Sequence, residues 1–222
     1  MPILSINTAY GNTDIALVEN DTILSTYCDK EPGKQAETLF NNINILLEKS
    51  NVLYKDIKAI TANIGPGSFT GIRIGLAAAR GIALAANIPV IGVDGFAAIN
   101  HSVRKQHNLH NLLVVFDAKR QQVFAQFFSH NQRKQLLLDY KDITKAIQQK
   151  SNINITGNGA ELITKYLHEN KITYKIIDGF TLPNASMIGG LANEYFSSGN
   201  YENNASPLYI RQPDAVTKKC TT

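Results

Sequence analysis

Two turns in the sequence carry residue types that could bind a phosphate group or a metal ion. The first follows a predicted strand at 3–6 and contains Asn7 and Thr8, and the second reads Asp117-Ala118-Lys119-Arg120. A carboxylate at a strand end can orient water or a metal ion, and a lysine or arginine can contact phosphate. The second turn is equally compatible with a charged β-turn that its aspartate side chain stabilises.

Asn7 is poorly suited to holding a divalent cation. Its amide oxygen accepts a hydrogen bond but carries no negative charge, so a hard cation would be held more weakly than by a carboxylate. Asp14 could substitute from the neighbouring strand, although a carboxylate that faces solvent or lies near the turn is the favoured interpretation.

The histidines do not have the pattern of a metal or catalytic site. His107 and His110 are three residues apart, with His101 nearby, but no acidic residue lies between Asp94 and Asp117. A solvated joint is therefore the favoured interpretation. The sequence has no GxxxxGK[ST] phosphate loop and no order of residues that indicates a catalytic triad. We predict no catalytic residue and no metal site.

The elements that must position these turns occur in the same order in both halves of the chain. Hydrophobic periodicity and turn residues predict three strands followed by an alternation of helices and strands. In the first half the strands are 3–6, 13–18, 22–27, 57–64 and 89–93, and the helices are 35–49 and 70–86. In the second half the strands are 112–116, 123–128, 136–140, 153–156 and 174–177, and the helices are 142–149, 160–169 and 185–196. The polar stretch 101–111 is the predicted joint.

This duplicated order predicts an α/β fold with two related lobes, each a mixed sheet covered by helices. It is similar to the ribonuclease-H-like fold shared by actin, sugar kinases and the Hsp70 ATPase. We expect lobes at 1–103 and 108–207, followed by a tail at 208–222. That fold binds nucleotide between its lobes, and the similarity predicts a nucleotide cleft that includes Asn7, Thr8, Asp117 and Lys119.

Composition indicates a globular chain without a strong charge bias. The 222 residues include 22 Lys and Arg and 18 Asp and Glu, which gives a net charge of +4. So small a charge does not imply tight binding of nucleic acid by this chain alone. Cys28 and Cys220 have no metal spacing, which fits a reducing cytoplasm. The N-terminal residues lack the pattern of a signal peptide. The apolar stretch 72–93 is interrupted by Arg73 and Arg80, so we predict no membrane span.

The segment Gly65-Pro66-Gly67-Ser68-Phe69-Thr70-Gly71 carries the sharpest local signal. Gly65 and Gly67 allow backbone torsions closed to other residues, and Pro66 stiffens the turn. Ser68 or Thr70 can cap the helix that follows. We predict a strand, a rigid turn and a capped helix. If Gly67 has a positive φ, Gly67→Ala should destabilise the lobe by about 1 kcal/mol or more.

The helix after this turn has a face of small side chains at four-residue steps: Gly71, Gly75, Ala79 and Ala83. Such a face permits close packing. The element packed on it could be another helix of the same lobe or a helix of a partner chain.

The run GPGSFTGIRIG resembles the signature of the TsaB family, also called YeaZ. Further matches are ILSINTA at the start, IPVIGVD at 88–94, DAKRQQVF at 117–124 and PLYIR at 207–211, so the resemblance covers nearly the whole chain. Two departures are Asn7, where an aspartate is usual, and Gln35, where many relatives have a histidine.

The resemblance implies a non-catalytic subunit of the machinery that makes threonylcarbamoyladenosine in tRNA. TsaB is a paralogue of TsaD, which transfers the threonylcarbamoyl group and carries a metal-binding histidine pair that this sequence does not match. The implied partners are TsaD, the ATPase TsaE through TsaD, and tRNA through the complex. The implied chain is cytoplasmic, is not a protease, forms a homodimer when alone and requires no cofactor, although weak binding of ATP or ADP is compatible with it.

Two other functions stay open from the sequence. The main alternative is an ATP-dependent small-molecule kinase or a residual ATPase of the same superfold. A structural dimer without a role in tRNA modification is the third.

The predicted docking surface for TsaD combines two helices. The first is the helix at 70–86 with its small-residue face, Gly71, Gly75, Ala79 and Ala83. The second is the amphipathic helix at 35–49, with Leu39, Ile43 and Leu46. In the absence of TsaD, the same surface should pair two copies of this chain, because a two-fold interface uses one patch on both partners.

Overall fold

Two five-stranded mixed sheets of identical topology build the molecule. The computed structural model describes residues 1–20, 22–29, 33–107, 109–129, 134–147, 152–203 and 205–211. The first sheet, in the order β3-β2-β1-β4-β5, contains β1 (Ile3–Asn7), β2 (Asp14–Glu19), β3 (Thr22–Cys28), β4 (Ala59–Gly65) and β5 (Val90–Asp94). The second, in the order β10-β9-β6-β7-β8, contains β6 (Leu112–Asp117), β7 (Gln122–Phe128), β8 (Leu136–Asp139), β9 (Ile153–Thr156) and β10 (Tyr174–Ile176).

The pairing within each sheet is the same. The first three strands form an antiparallel meander, and the fourth and fifth add in parallel on the other side of the first. The predicted duplication of a ribonuclease-H-like plan is therefore confirmed. Strand β1 lies in the middle of its sheet, and its five residues are all buried.

Helices cover both faces of the first sheet. Four helices pack on it: α1 (Gln35–Ser50), α2 (Phe69–Ala86), α3 (Gly95–His107) and α5 (Ala185–Ser198). Helix α4 (Thr164–Glu169) packs in the core of the second lobe. The buried sides of α1 and α2 share one core with β1, β2 and β4. Ala98 of α3 and Ile188 of α5 share another core with Ile3 and Ile91, on the opposite face.

Helix α3 occupies part of the segment that the sequence predicted to be a polar joint. Phe96, Ile99 and Val103 recur at helical spacing and are fully buried. Asp94 caps the helix, because its Oδ1 accepts the Ala97 N–H at 2.9 Å. The sequence did not predict this helix, because its few large apolar residues are widely spaced among polar ones.

Helix α5 comes from the second half of the sequence but packs on the first sheet. It contacts β1, β2, β4 and β5, and also α3. The predicted lobe at 108–207 therefore gives up its last helix to the other lobe. Residues 208–211, predicted to begin a tail, are also packed against both lobes.

The helical segments of the second lobe are shorter than predicted. The predicted helix at 142–149 is a 3-10 helix at Tyr140–Ala146, and its last two residues lie outside the described part. The predicted helix at 160–169 divides into a 3-10 turn at Glu161–Ile163 and α4. A third 3-10 turn, Tyr54–Asp56, precedes β4.

The glycine-rich turn brings the start of α2 against the chain that follows β1. Ser68 caps the helix as predicted, with its Oγ accepting the Gly71 N–H at 3.3 Å. Gly65 has a φ of 126°. The φ of Gly67 is not positive, so the backbone-strain argument for this glycine does not hold. Gly67 is instead required by close approach, because a Cβ there would lie 2.6 Å from the Ala9 carbonyl oxygen.

The small-residue face of α2 packs inside its own lobe. A Cβ at Gly71 would overlap the Thr8 carbonyl oxygen, and one at Gly75 would lie 2.5 Å from Thr8 Oγ1. The Thr8 hydroxyl donates a hydrogen bond to the Gly71 carbonyl at 2.7 Å. The close packing was predicted correctly, but the element packed on this face is the turn after β1.

Seven side chains assigned to the partner interface are therefore buried within this chain. They are Leu39, Ile43, Leu46, Gly71, Gly75, Ala79 and Ala83. They cannot contact a partner, so their assignment to the interface is wrong. Helical periodicity identifies the apolar side of a helix, and in α1 and α2 the sheet covers that side.

By length and composition, α2 is the one helix in the described ranges that could cross a membrane, and core helices packed on a sheet pass the same test. Its contacts with β4 and β1 are those of a core helix.

We predict opposite effects of an added methyl group at two glycines of α2. Gly71→Ala should lower the free energy of unfolding by about 1–3 kcal/mol, because the methyl group overpacks the contact with Thr8. Gly81→Ala should raise it by about 0.5–1 kcal/mol, because that position faces open space and alanine favours the helix. Urea unfolding of both variants measures these changes, and equal stability of the two would contradict the close packing.

Candidate functional site

A cavity of about 650 Å³ lies between the two lobes. Four segments line it: the turn after β1, the start of α2, the turn after β6 and the segment 208–211. Its lining includes Tyr10, Phe69, Phe116, Asp117, Lys119 and Arg211. It therefore lies at the predicted cleft.

Aromatic rings form much of the inner wall of this cavity. The ring centroids of Tyr10 and Phe116 are 6.3 Å apart, and Phe116 stacks on Phe96 at 4.8 Å. Burial raises the pKa of Tyr10, so its phenol stays neutral throughout the physiological range. These rings join the two lobes through an apolar contact at the back of the cavity.

The turn after β6 places Asp117 and Lys119 at the cavity, as predicted. Asp117 accepts the Lys119 N–H at 2.8 Å, and the Lys119 ammonium lies 2.7 Å from its other oxygen. Asn158 Oδ1 accepts the Asp117 N–H at 3.0 Å. Burial raises the pKa of Asp117, but the hydrogen bonds from Lys119 outweigh it, and the net shift of the pKa is downward. Asp117 thus stabilises a charged turn and forms one wall of the cavity.

Asn7 and Thr8, predicted to lie in the cleft, do not line the cavity. Asn7 is 3% exposed and Thr8 is 2% exposed. The Asn7 amide nitrogen donates to the Pro183 carbonyl at 2.8 Å, and its oxygen accepts from the Asn63 amide at 3.0 Å. The assignment of these two residues to a ligand site is wrong, because both are used to hold α2 and the start of α5 against the first sheet.

Two partly buried carboxylates near Asn7 cap helices. Asp14 accepts the Ala185 N–H at 2.8 Å at the start of α5, and Asp94 caps α3. Burial raises the pKa of both groups, although hydrogen bonds from backbone N–H groups oppose the shift. The sequence favoured a solvent-facing or turn-proximal carboxylate at Asp14. The structure shows instead that Asp14 is partly buried and bonded to Asn7.

The carboxyl ends of β1, β4 and β5 thus carry a cluster of polar side chains: Asn7, Asn63, Asp94 and, from the start of β2, Asp14. Each is bonded to a helix N-terminus, to a turn or to a neighbouring amide. An amide suits position 7 because it donates to one side and accepts from the other, whereas an ionised carboxylate only accepts. This geometry explains the departure from aspartate.

The three histidines considered as metal ligands, His101, His107 and His110, lie apart from the cavity. His107 and His110 are exposed, and His101 lies 2.7 Å from Glu194. Within the described ranges, no group of three or more His, Cys, Asp or Glu residues could hold a metal ion.

The outer sides of α1 and α2 form a second candidate site, which sequence periodicity missed. Leu84 is 86% exposed and Phe40 is 52% exposed. Two small residues of α2, Ala77 and Gly81, are also exposed. Because α1 and α2 cover the same face of the sheet, these residues point away from the molecule on the same side. The sequence signal for this site was Leu84 itself, a large apolar residue at an exposed position of α2, where the preceding exposed residues are polar or small.

Comparison with known proteins gives consistent matches. A family model described as "TsaD: tRNA N6-adenosine threonylcarbamoyltransferase" matches residues 34–219. The tRNA threonylcarbamoyladenosine biosynthesis protein TsaB of Escherichia coli (strain K12) is 27% identical over 229 residues, covering 98% of each chain.

Solved structures show the same fold. YeaZ from Pseudomonas aeruginosa superposes with a TM-score of 0.75 at 20% identity, covering 94% of this chain and 99% of that one. (R)-2-hydroxyglutaryl-CoA dehydratase component A of Acidaminococcus fermentans gives a TM-score of 0.55 at 9% identity, covering 89% and 99%.

We predict that Asn7→Asp destabilises the protein in a pH-dependent way. The carboxylate would face the Pro183 carbonyl and Asp14, so burial and like charge should raise its folded-state pKa above the unfolded value of about 3.9. The loss should be small below that pH, where the acid is neutral in both states, and should grow to about 3 kcal/mol or more at neutral pH.

Urea unfolding at several pH values measures this loss. Asn41→Asp, on the exposed side of α1, introduces the same charge without burial and should leave stability nearly unchanged. A pH-independent loss in Asn7→Asp would contradict the role assigned to the amide.

Proposed function

Because the chain belongs to the family described as TsaD: tRNA N6-adenosine threonylcarbamoyltransferase, and within it groups with TsaB (YeaZ) proteins, we propose that it is a non-catalytic subunit in threonylcarbamoyladenosine synthesis. It binds and supports TsaD and, through TsaD, TsaE. It works in the cytoplasm and meets tRNA through the complex. The single observation that carries the docking proposal is the exposure of two large apolar side chains, Leu84 of α2 and Phe40 of α1.

The chemistry of this outer side supports docking of another protein. Leu84 offers almost its whole side chain to solvent, and Phe40 adds an aromatic ring. Gly81 has no heavy atom within 4 Å of the position of a Cβ, so the backbone of α2 is open to close approach there. A helix of a partner could pack on this side at short distance.

The same surface can serve a paralogue or a second copy. Related folds present similarly shaped helices, and a two-fold contact between two α1–α2 pairs uses one patch twice. We propose a heterodimer with TsaD and, in its absence, a homodimer. A specific interface of standard size would bury about 1,600 Å² in total.

The cleft supports a non-catalytic assignment. The last residue of β1, Asn7, is an amide bonded to Pro183 and Asn63, and the acid of the second turn, Asp117, is paired with Lys119. Neither group is available to position a metal ion beside phosphates. We propose that no cofactor is required and that ATP or ADP binds the cavity at most weakly.

We predict that Leu84→Lys weakens binding to TsaD about tenfold or more, because it places a charge in the apolar centre of the contact. Since Leu84 is 86% exposed, the melting temperature of the isolated protein should hardly change. Calorimetry with purified TsaD measures the affinity.

Leu162→Lys is the matched control. Leu162 is an exposed leucine of the second lobe, 39% accessible and far from α2 in sequence. It should leave the affinity unaltered. Normal affinity and full modification activity in folded Leu84→Lys and Phe40→Ala variants would place the docking surface elsewhere.

We predict that the isolated protein neither hydrolyses ATP at a significant rate nor cleaves proteins, and that threonylcarbamoyladenosine forms only when TsaD and the other components are added. The reason is that the described part of the cleft offers no free acid to position a metal ion. Stoichiometric ATP turnover with a defined small acceptor would instead support the kinase alternative.

A further inference from the structure

The C-terminal segment at 205–211 crosses from the first lobe to the second over the interlobe cavity. We call it the strap. It includes the PLYIR run at 207–211, which lies outside the proposed docking surface. Four of its residues, Leu208, Tyr209, Ile210 and Arg211, line the cavity.

The first anchor of the strap lies at the edge of the first sheet. Asn203, just before the strap, accepts the Val90 N–H at 2.9 Å. The guanidinium of Arg80, from α2, donates to the Ala205 carbonyl at 2.5 Å. Ala205 is buried, and a Cβ at Gly92 would lie 3.0 Å from its methyl group. This end of the strap is a fixed part of the first lobe.

The second anchor joins the strap to the glycine-rich turn. The Leu208 N–H donates to the Ile64 carbonyl at 2.8 Å. A Cβ at Gly65 would lie 2.8 Å from the Leu208 carbonyl oxygen, so the strap packs on the backbone of this turn. Gly65 is therefore required both by its positive φ and by the strap.

The third anchor is a stack of two rings and an arginine. The Arg73 guanidinium lies 3.7 Å from the Phe69 ring centroid and donates to the Tyr209 hydroxyl at 2.9 Å. The rings of Phe69 and Tyr209 are 4.9 Å apart. Cation–π and ring contacts of this kind are individually modest but fix geometry.

The last anchor lies on the second lobe. Arg211 donates to the Gln122 side-chain oxygen at 2.7 Å, and its guanidinium carbon lies 5.6 Å from the Phe124 ring centroid. Both partners belong to β7. The strap is thus bonded to α2 at one end and to the second sheet at the other.

We propose that the strap is an interlobe latch: Tyr209 and Arg211 hold the lobes closed over the cavity, and their release opens it. Because Arg73 belongs to α2, the latch also connects the cleft to α2, the helix whose outer side exposes Leu84. The inference rests on the strap contacts alone and does not depend on the identity of the docking partner.

Hydrogen exchange and solution scattering test the latch together. In Arg211→Ala, loss of a hydrogen bond from a charged group should raise the exchange rate of the Leu208 amide about tenfold, a factor that corresponds to about 1.4 kcal/mol. The radius of gyration should increase at the same time, because the lobes separate. Tyr209→Phe keeps the ring but loses the hydroxyl, and should show a smaller change in the same direction.

Arg104→Ala is the control, since it removes an exposed arginine of α3 outside the strap. It should match the unaltered protein in both measurements, and melting curves establish that all variants are folded. Faster exchange without a change in scattering would show local fraying and overturn the latch. Unchanged exchange in folded Arg211→Ala would overturn it as well.

Discussion

The close approach of α2 to the turn after β1 is the contact on which the rest of the molecule depends. Gly67 and Gly71 leave room for the backbone of residues 8 and 9, and the Thr8 hydroxyl bonds to the Gly71 carbonyl. This contact sets the position of the glycine-rich turn and thereby one wall of the cavity. It also turns the remaining side of α2 outward, where Leu84 is exposed. A packing constraint inside one lobe therefore determines which side of α2 is exposed to solvent.

Much of the fold was predictable because it depends on local patterns that repeat. Alternating apolar residues and turn signals located the ten strands closely enough to show the duplication, and Ser68 predicted the start of α2. Helix α3 was missed because its apolar stripe is sparse and its cap, Asp94, lies at the end of a strand. The placement of α5 on the first sheet could not be predicted, since it is a contact between residues about 170 positions apart, such as Asp14 and Ala185.

The site was harder to predict than the fold. The sequence located Asp117 and Lys119 at the cavity, because a duplicated plan puts both turns at one cleft. It misplaced Asn7 and Thr8, since whether a polar side chain faces the cleft or the helix beside it depends on Pro183 and Gly71, which are distant in sequence. The residues of α1 and α2 that it assigned to docking are buried, because periodicity reveals the side that packs on the sheet and says nothing of a partner.

The placement of α5 bears on how the protein is made. The first sheet has α1 and α2 on one face, but the other face is covered by α3 and by α5, which ends at Ser198. During synthesis, a nascent chain that has already formed its first five strands still exposes Ile3 and other apolar residues of that face. Most of the second lobe must be synthesised before α5 can cover this face, so the first lobe exposes apolar surface for most of the synthesis of the chain.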